Sequence, residues 1–216
     1  MIPHYFRRLA AAVIALLPLI NIPAAAQLAI SANDGKGVLI NGVNTVPENP
    51  VPDNVSIIDL SATPPKVIAE INMPTSLVGP PQSVAFAPDR SFALVTAATK
   101  LDPADKKKTA PENKLSVIDL KAKPPAVIAT LETGAGASGV AINKAGTLAL
   151  VANRVEGTLS VFTIAGNTLT AAGKIDLGNA KAGPSAVAFT PDGKSALVTR
   201  DGDHMISVLS VDGSKV

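Results

Sequence analysis

Short apolar runs follow one another along almost the whole chain, each closed off by Pro, Gly, Asp or Asn. The line Val84-Ala-Phe-Ala-Pro-Asp-Arg-Ser-Phe-Ala-Leu-Val-Thr96 recurs as Val140-Ala-Ile-Asn-Lys-Ala-Gly-Thr-Leu-Ala-Leu-Val-Ala152 and again as Val187-Ala-Phe-Thr-Pro-Asp-Gly-Lys-Ser-Ala-Leu-Val-Thr199. A second phrase runs in step with it: Val55-Ser-Ile-Ile-Asp-Leu60, Leu115-Ser-Val-Ile-Asp-Leu120, Leu159-Ser-Val-Phe-Thr-Ile164 and Ile206-Ser-Val-Leu-Ser-Val211. A third occurs twice, at Pro64-Pro-Lys-Val-Ile-Ala-Glu-Ile71 and Pro124-Pro-Ala-Val-Ile-Ala-Thr-Leu131. Short segments rich in Val, Ile and Leu and bounded by turn residues are strands. Pro191-Asp-Gly193 supplies a fixed φ, an Asx cap and a residue free to take positive φ, which is turn chemistry. Past the N-terminus no stretch sustains an apolar 3.6-residue period, so helices should be few.

Self-similarity at about 40 to 50 residues means that one supersecondary unit is stacked repeatedly. Each unit reads as four antiparallel strands, and such units arranged radially are the blades of a β-propeller. The chain resembles the YVTN-type β-propeller family, which includes lactonase-like and YncE-like repeat proteins. The resemblance rests on the Val-Ala-Phe-x-Pro-Asp-Gly turn, the Ala-Leu-Val-Thr strand and the Leu-Ser-Val-Ile-Asp-Leu strand, and it covers residues 28 to 211. The expected fold is therefore all-β, with repeat units at 28–73, 82–132, 139–177 and 185–216. That makes three full blades and most of a fourth. In the opening unit, Leu28-Ala-Ile30 and Val38-Leu-Ile40 are expected as the first two strands, followed by strands within 55–60 and 67–71. Family members usually close with seven blades, so the resemblance implies an incomplete ring, either a fragment or a self-associating half-ring. A closed four-bladed ring is the alternative.

The N-terminus predicts an address. Arg7 and Arg8 precede an apolar run from Leu9 to Ile22, and Pro23-Ala-Ala-Ala26 offers small residues for a peptidase cutting between Ala26 and Gln27. This is the three-part pattern of a cleaved secretory signal. The apolar run, broken by Pro18, is shorter than the roughly 20 residues that span a bilayer, so no stable membrane span is expected after removal. With no Cys in the chain, a bacterial periplasm or external medium is the expected location. The full chain carries 19 Lys and Arg against 17 Asp and Glu; without Arg7 and Arg8 the remainder is balanced. A neutral surface gives no electrostatic ground for nucleic-acid binding. The four Phe beyond the signal, at 86, 92, 162 and 189, alternate with strand apolars as core residues do.

Candidate chemistry gathers on the loops between second and third strands. His204, the sole histidine beyond the signal, lies on the last of them and can act as acid, base or ligand near neutral pH. Arg154 and Glu156 occupy the equivalent loop one blade earlier, and Arg154 and Arg200 could converge on an anion. Asp201 and Asp203 flank Gly202 in a spacing that suggests part of a calcium loop, although a full loop needs further alternating ligands. The long loop Ala97 to Lys114 brings Lys100, Asp102 and Asp105 to the same face, and Asn41 to Asn54 is a comparable excursion one unit earlier. Insertions on one face of a repeat protein mark its binding side. Ser83, Ser138 and Ser185 recur before the innermost strands beside Gly79-Pro-Pro81, Gly134 to Gly136 and Gly183-Pro184, which suggests a structural task such as satisfying backbone donors. No Gly-x-Ser-x-Gly elbow, phosphate loop or zinc helix motif is present.

These residues point to an exported, non-catalytic propeller that binds a small molecule or an envelope protein through its loop face, with no cofactor predicted. The resemblance also permits a lactone-opening hydrolase, whose cast would be His204, Glu156, Arg154 and Arg200. A third reading is a propeller subunit of a quinoprotein dehydrogenase-like complex.

Overall fold

The computed structural model describes residues 27–76 and 82–216; the expected signal and its cut after Ala26 lie outside them, as does Gly79-Pro-Pro81. In chain order the strands are β1 (Leu28–Asn33), β2 (Val38–Ile40), β3 (Val43–Thr45), β4 (Asn54–Asp59), β5 (Lys66–Asn72), β6 (Val84–Phe86), β7 (Phe92–Leu101) and β8 (Thr109–Asp119). There follow β9 (Ala126–Glu132), β10 (Ala137–Ile142), β11 (Leu148–Asn153), β12 (Thr158–Ala165), β13 (Thr168–Asp176), β14 (Pro184–Phe189), β15 (Ser195–Arg200) and β16 (Met205–Ser210). They form four antiparallel blades, β1-β4-β5, β6-β7-β8-β9, β10-β11-β12-β13 and β14-β15-β16, plus the separate hairpin β2-β3. The all-β propeller architecture is as expected, and no helix occurs among the described residues.

The first blade differs from expectation. β1 pairs with β4 from Leu28↔Asp59 to Asn33↔Asn54, the register in which β7 pairs with β8 from Phe92↔Asp119. β1 is thus a second strand, and no innermost strand precedes it among the described residues. Val38–Ile40 closes instead on Val43–Thr45. Asn41 and Gly42 carry φ of 50° and 78°, and two consecutive positive φ values make a two-residue turn whose twist suits a local hairpin.

The supposed loop from Ala97 to Lys114 is also largely strand. Beyond a bulge between Ala97 and Thr99 the ladder continues to Leu101↔Thr109, so β7 and β8 project as a long hairpin with only Asp102 to Lys108 as its tip. The Oγ of Ser76, in the connection leaving the first blade, accepts the N–H groups of Ala98 (2.5 Å) and Thr99 (2.8 Å) at the bulge. A buried donor left unmatched would be costly, and this contact lets the ladder resume.

Successive blades bury one apolar cluster at each junction. Val55 and Ile57 pack with Val95 and Ile118, Leu94 and Leu115 with Ala149 and Val151, and Leu150 and Leu159 with Ala196 and Val198. The phrase apolar-Ser-apolar-apolar follows from this geometry, since its two flanking apolar residues face the next blade. The serine serves a polar pin: Ser56 meets Asn33, Ser160 meets Asn153 and Ser207 meets Arg200 at the end of the neighbouring strand.

Candidate ligand-binding site

A cavity of about 470 Å³ opens on the loop face between the first and second blades. Its blade-one wall grows from Asp34-Gly-Lys36, directly after β1. Lys36 is 5% exposed, yet its ammonium donates to Asp34 Oδ1 at 3.1 Å, Asp53 Oδ2 at 2.5 Å and the Thr75 carbonyl at 2.5 Å. Three donors meet three acceptors, which is what a buried ammonium requires. Asp53 also accepts the Gly35 N–H at 2.9 Å and the Thr75 N–H at 3.2 Å, so one carboxylate ties the excursion to the connection leaving the blade. Gly35 fits because a Cβ there would sit 2.3 Å from the Val51 carbonyl oxygen.

The opposite wall is the β7-β8 hairpin, through Thr99, Lys100, Leu101 and Glu112. Lys100 Nζ lies 3.5 Å from Glu112 Oε1, and the Glu112 oxygen also accepts the Asn113 N–H at 3.0 Å. The Glu112 side chain is nearly covered while that of Lys100 is 47% exposed. A well-held carboxylate therefore sits beside a cation at the rim with spare donors. Met73, Val51, Pro50 and Pro74 add apolar lining. A concave, largely apolar space with a few fixed polar groups is the usual form of a small-molecule site, and this volume falls in the usual range.

The other expected site residues lie elsewhere. Asp102 Oδ1 caps the Ala104 N–H, and Asp105 accepts the Lys107 N–H and pairs with Lys108 at 3.1 Å, so both acids serve the hairpin tip rather than the cavity. Arg154 and Arg200 are each paired with an aspartate. Arg154 Nη1 reaches Asp201 Oδ2 at 2.6 Å, and Arg200 holds Asp203 through Nε at 3.0 Å and through Nη2. The Arg154 hydrogen bond, helped by Ser185, holds the Asp201 carboxyl below the usual carboxylate range, and Arg200 does the same for Asp203. Glu156 is lowered chiefly by Lys174, 2.8 Å away. Asp201 and Asp203 are thus engaged by arginines, and among the described residues no group of three or more His, Cys, Asp or Glu lies together. His204 is exposed at φ 58°, a left-handed turn position.

Two of the recurrent serines, Ser138 and Ser185, do structural work, in the opposite sense to that expected. Ser138 Oγ lies 3.2 Å from the Pro184 and Ser185 carbonyl oxygens, and Ser185 Oγ donates to Asp201 Oδ1 at 2.8 Å. They serve acceptors rather than backbone donors. Lys36, Asp53 and Glu112 escaped the sequence reading. Asp34-Gly-Lys36 looks like a plain turn, and its partner Asp53 lies near the end of a proline-rich excursion. Glu112 would have emerged by reading 97–114 as two paired strands, which sets it on the ladder beside Lys100.

Residues 110–215 match the family model described as lactonase, 7-bladed beta-propeller. This stretch, just under half of the chain, is similar to the lactonase-type β-propellers. Comparison with curated proteins by sequence finds no match. Among solved structures, the periplasmic gluconolactonase of Pseudomonas aeruginosa is similar at 19% identity and a TM-score of 0.54, over 81% of this chain and 52% of that one. The hydrazine synthase of Kuenenia stuttgartiensis is similar at 15% identity and a TM-score of 0.57, over 79% of this chain and 55% of that one. The chain thus spans about half the length of the structures it matches, and the likeness is one of fold.

Proposed function

We propose that the chain is part of an exported, non-catalytic β-propeller that binds a small hydroxylated acid in the cleft between its first and second blades. The observation that carries this reading is the pairing of a rigid wall with an available cation. Lys36 and Asp53 fix one side by buried charge pairing, while Lys100 stands half exposed on the other. Its contact with Glu112 is long at 3.5 Å, so its remaining donors suit a ligand carboxylate. Glu112, Thr99 and Asn72 supply hydrogen-bonding groups for hydroxyls.

D-gluconate is a suitable probe, titrated calorimetrically into the full chain. Saturable binding is expected, weakened about tenfold in Lys100→Ala, since a charge-assisted hydrogen bond contributes about 1.5–3 kcal/mol. Binding is also expected to vanish in Leu101→Trp, whose indole would fill the cavity. Absence of binding to the unaltered chain, or equal affinity in all three proteins, would remove the cleft from consideration for this ligand class.

Lactone hydrolysis is the second reading, favoured by the family match over 110–215. It would require His204 to act on a lactone in the complete protein. His204→Ala is then expected to abolish ring opening of D-glucono-lactone, and full activity in that variant would exclude the residue. The pairing of Arg154 and Arg200 with carboxylates weighs against an oxyanion role for either.

A further inference from the structure

The hairpin β2-β3 carries apolar side chains that nothing in the described protein covers. Leu39 is 76% exposed, and Val38, Ile40 and Val43 are each exposed by two-fifths or more. Scattered surface apolars are ordinary, but a contiguous group on a projecting turn marks a contact site. The tip of the β7-β8 hairpin meets the base of this hairpin: Thr45, paired with Val38, and Val46 share a cleft of about 370 Å³ with Lys107, Lys108 and Thr109. Lys106, Lys107 and Lys108 are all exposed. The acids of that tip are occupied with their own turn, Asp102 at the Ala104 N–H and Asp105 at the Lys107 N–H and Lys108 ammonium. Lys108 is thus paired with Asp105, which leaves Lys106 and Lys107 as the exposed cations beside the aliphatic hairpin.

From this juxtaposition we propose that the β2-β3 hairpin and the adjoining lysine tip dock the protein peripherally on an anionic lipid surface, with the Val-Leu-Ile-Asn-Gly-Val segment entering the headgroup boundary and Lys106 and Lys107 meeting lipid phosphates. The composition favours lipid over a protein partner. Protein interfaces concentrate binding energy in Trp, Tyr and Arg, with Leu and Val under-represented and Lys depleted. Interfacial membrane binding instead scales with buried aliphatic area plus attraction between Lys and anionic headgroups. The exposed apolar residues lie on a two-stranded hairpin rather than in a groove that receives a peptide.

The test is co-sedimentation of the full chain with phosphatidylcholine vesicles prepared with and without phosphatidylglycerol. Binding is expected only to the anionic vesicles and should fall as salt is raised. Leu39→Asn combined with Ile40→Asn should lower partitioning about tenfold or more, through loss of aliphatic insertion. Each of Lys106→Gln and Lys107→Gln should lower it about fivefold. These side chains lie outside the buried clusters, so unchanged thermal midpoints will confirm that the variants are folded. Every variant retains residues 1–26, so attachment through that segment alone would leave all variants equal to the unaltered chain. That result overturns the proposal, as does failure to bind anionic vesicles. Sedimentation velocity supplies the remaining outcome: a dimer lost in the Leu39/Ile40 variant, without vesicle binding, would assign the β2-β3 hairpin to contact between copies and overturn the lipid reading.

Discussion

Leu94, Leu150 and Leu197 hold one place in three successive blades, two residues into the Ala-Leu-Val strand. The first two are fully buried and the third is 41% exposed, because its face meets no further sheet among the described residues. The same break runs down the neighbouring strand, where Val117 is buried and Val208 is 69% exposed. Identical chemistry at equivalent positions should therefore carry unequal energy. Leu150→Ala is expected to lower unfolding free energy by about 2–5 kcal/mol, through lost transfer energy and a residual cavity. Leu197→Ala should fall within about 0.5 kcal/mol of the unaltered chain, as surface changes do. Urea unfolding of both variants decides this, and equal losses would mean that Leu197 is covered in solution. Lys36 presents the reverse case, a charge made tolerable inside by three acceptors where a partial set would leave an unpaired ion.

At the scale of elements, the loops of the third and fourth blades are joined by Arg154 and Asp201, with Arg200–Asp203 and Lys174–Glu156 alongside. The carboxyls of Asp201, Asp203 and Glu156 are all held below their ordinary values by these cations. A group depressed in the folded state contributes stability above its unfolded value, about 4 for these acids, and loses it as pH falls through the folded value. Asp201→Asn should therefore destabilise the protein at neutral pH by about 0.2–1 kcal/mol, the range for partly exposed pairs. The difference should close in strong acid, where the native carboxyl is itself protonated. Unfolding measured at both pH values tests this, and a loss independent of pH would assign the effect to packing. The elements themselves were mostly legible in sequence, because period-two apolar runs between Pro-Asp-Gly-type turns have one good solution. The exceptions were Val38–Ile40, whose own Asn-Gly turn captured it from β1, and the 97–114 arm, where Ser76 repairs a bulge from a distant connection. The cavity was less legible for the same reason: Lys100 announced itself on a long insertion, whereas Lys36 and Asp53 become a pair only once the excursion between them has folded.

Across the whole molecule, the inner strands are joined by polar contacts that skip along the ring. β10 and β14 each break register, between Ala137 and Val140 and between Pro184 and Val187. Gln82, just before β6, supplies an acceptor near each break: its carbonyl takes the Val140 N–H at 3.0 Å, and its side-chain Oε1 takes the Val187 N–H at 2.9 Å. One residue of the second blade thus reaches both the third and the fourth, while Thr96 Oγ1 donates to the Ser138 carbonyl between them. Gln82→Leu would strand the Val187 N–H in a buried position, at a cost of about 1–3 kcal/mol. Gln82→Glu would keep an acceptor and most of the stability. Amide exchange separates this from general loosening, because the Val140 N–H bonds to backbone that neither substitution removes. The Val187 amide should lose protection in Gln82→Leu while Val140 keeps its own. Parallel loss at both amides would mean that the blades open together, and unchanged protection at Val187 would mean that the side chain does not bridge the second and fourth blades in solution.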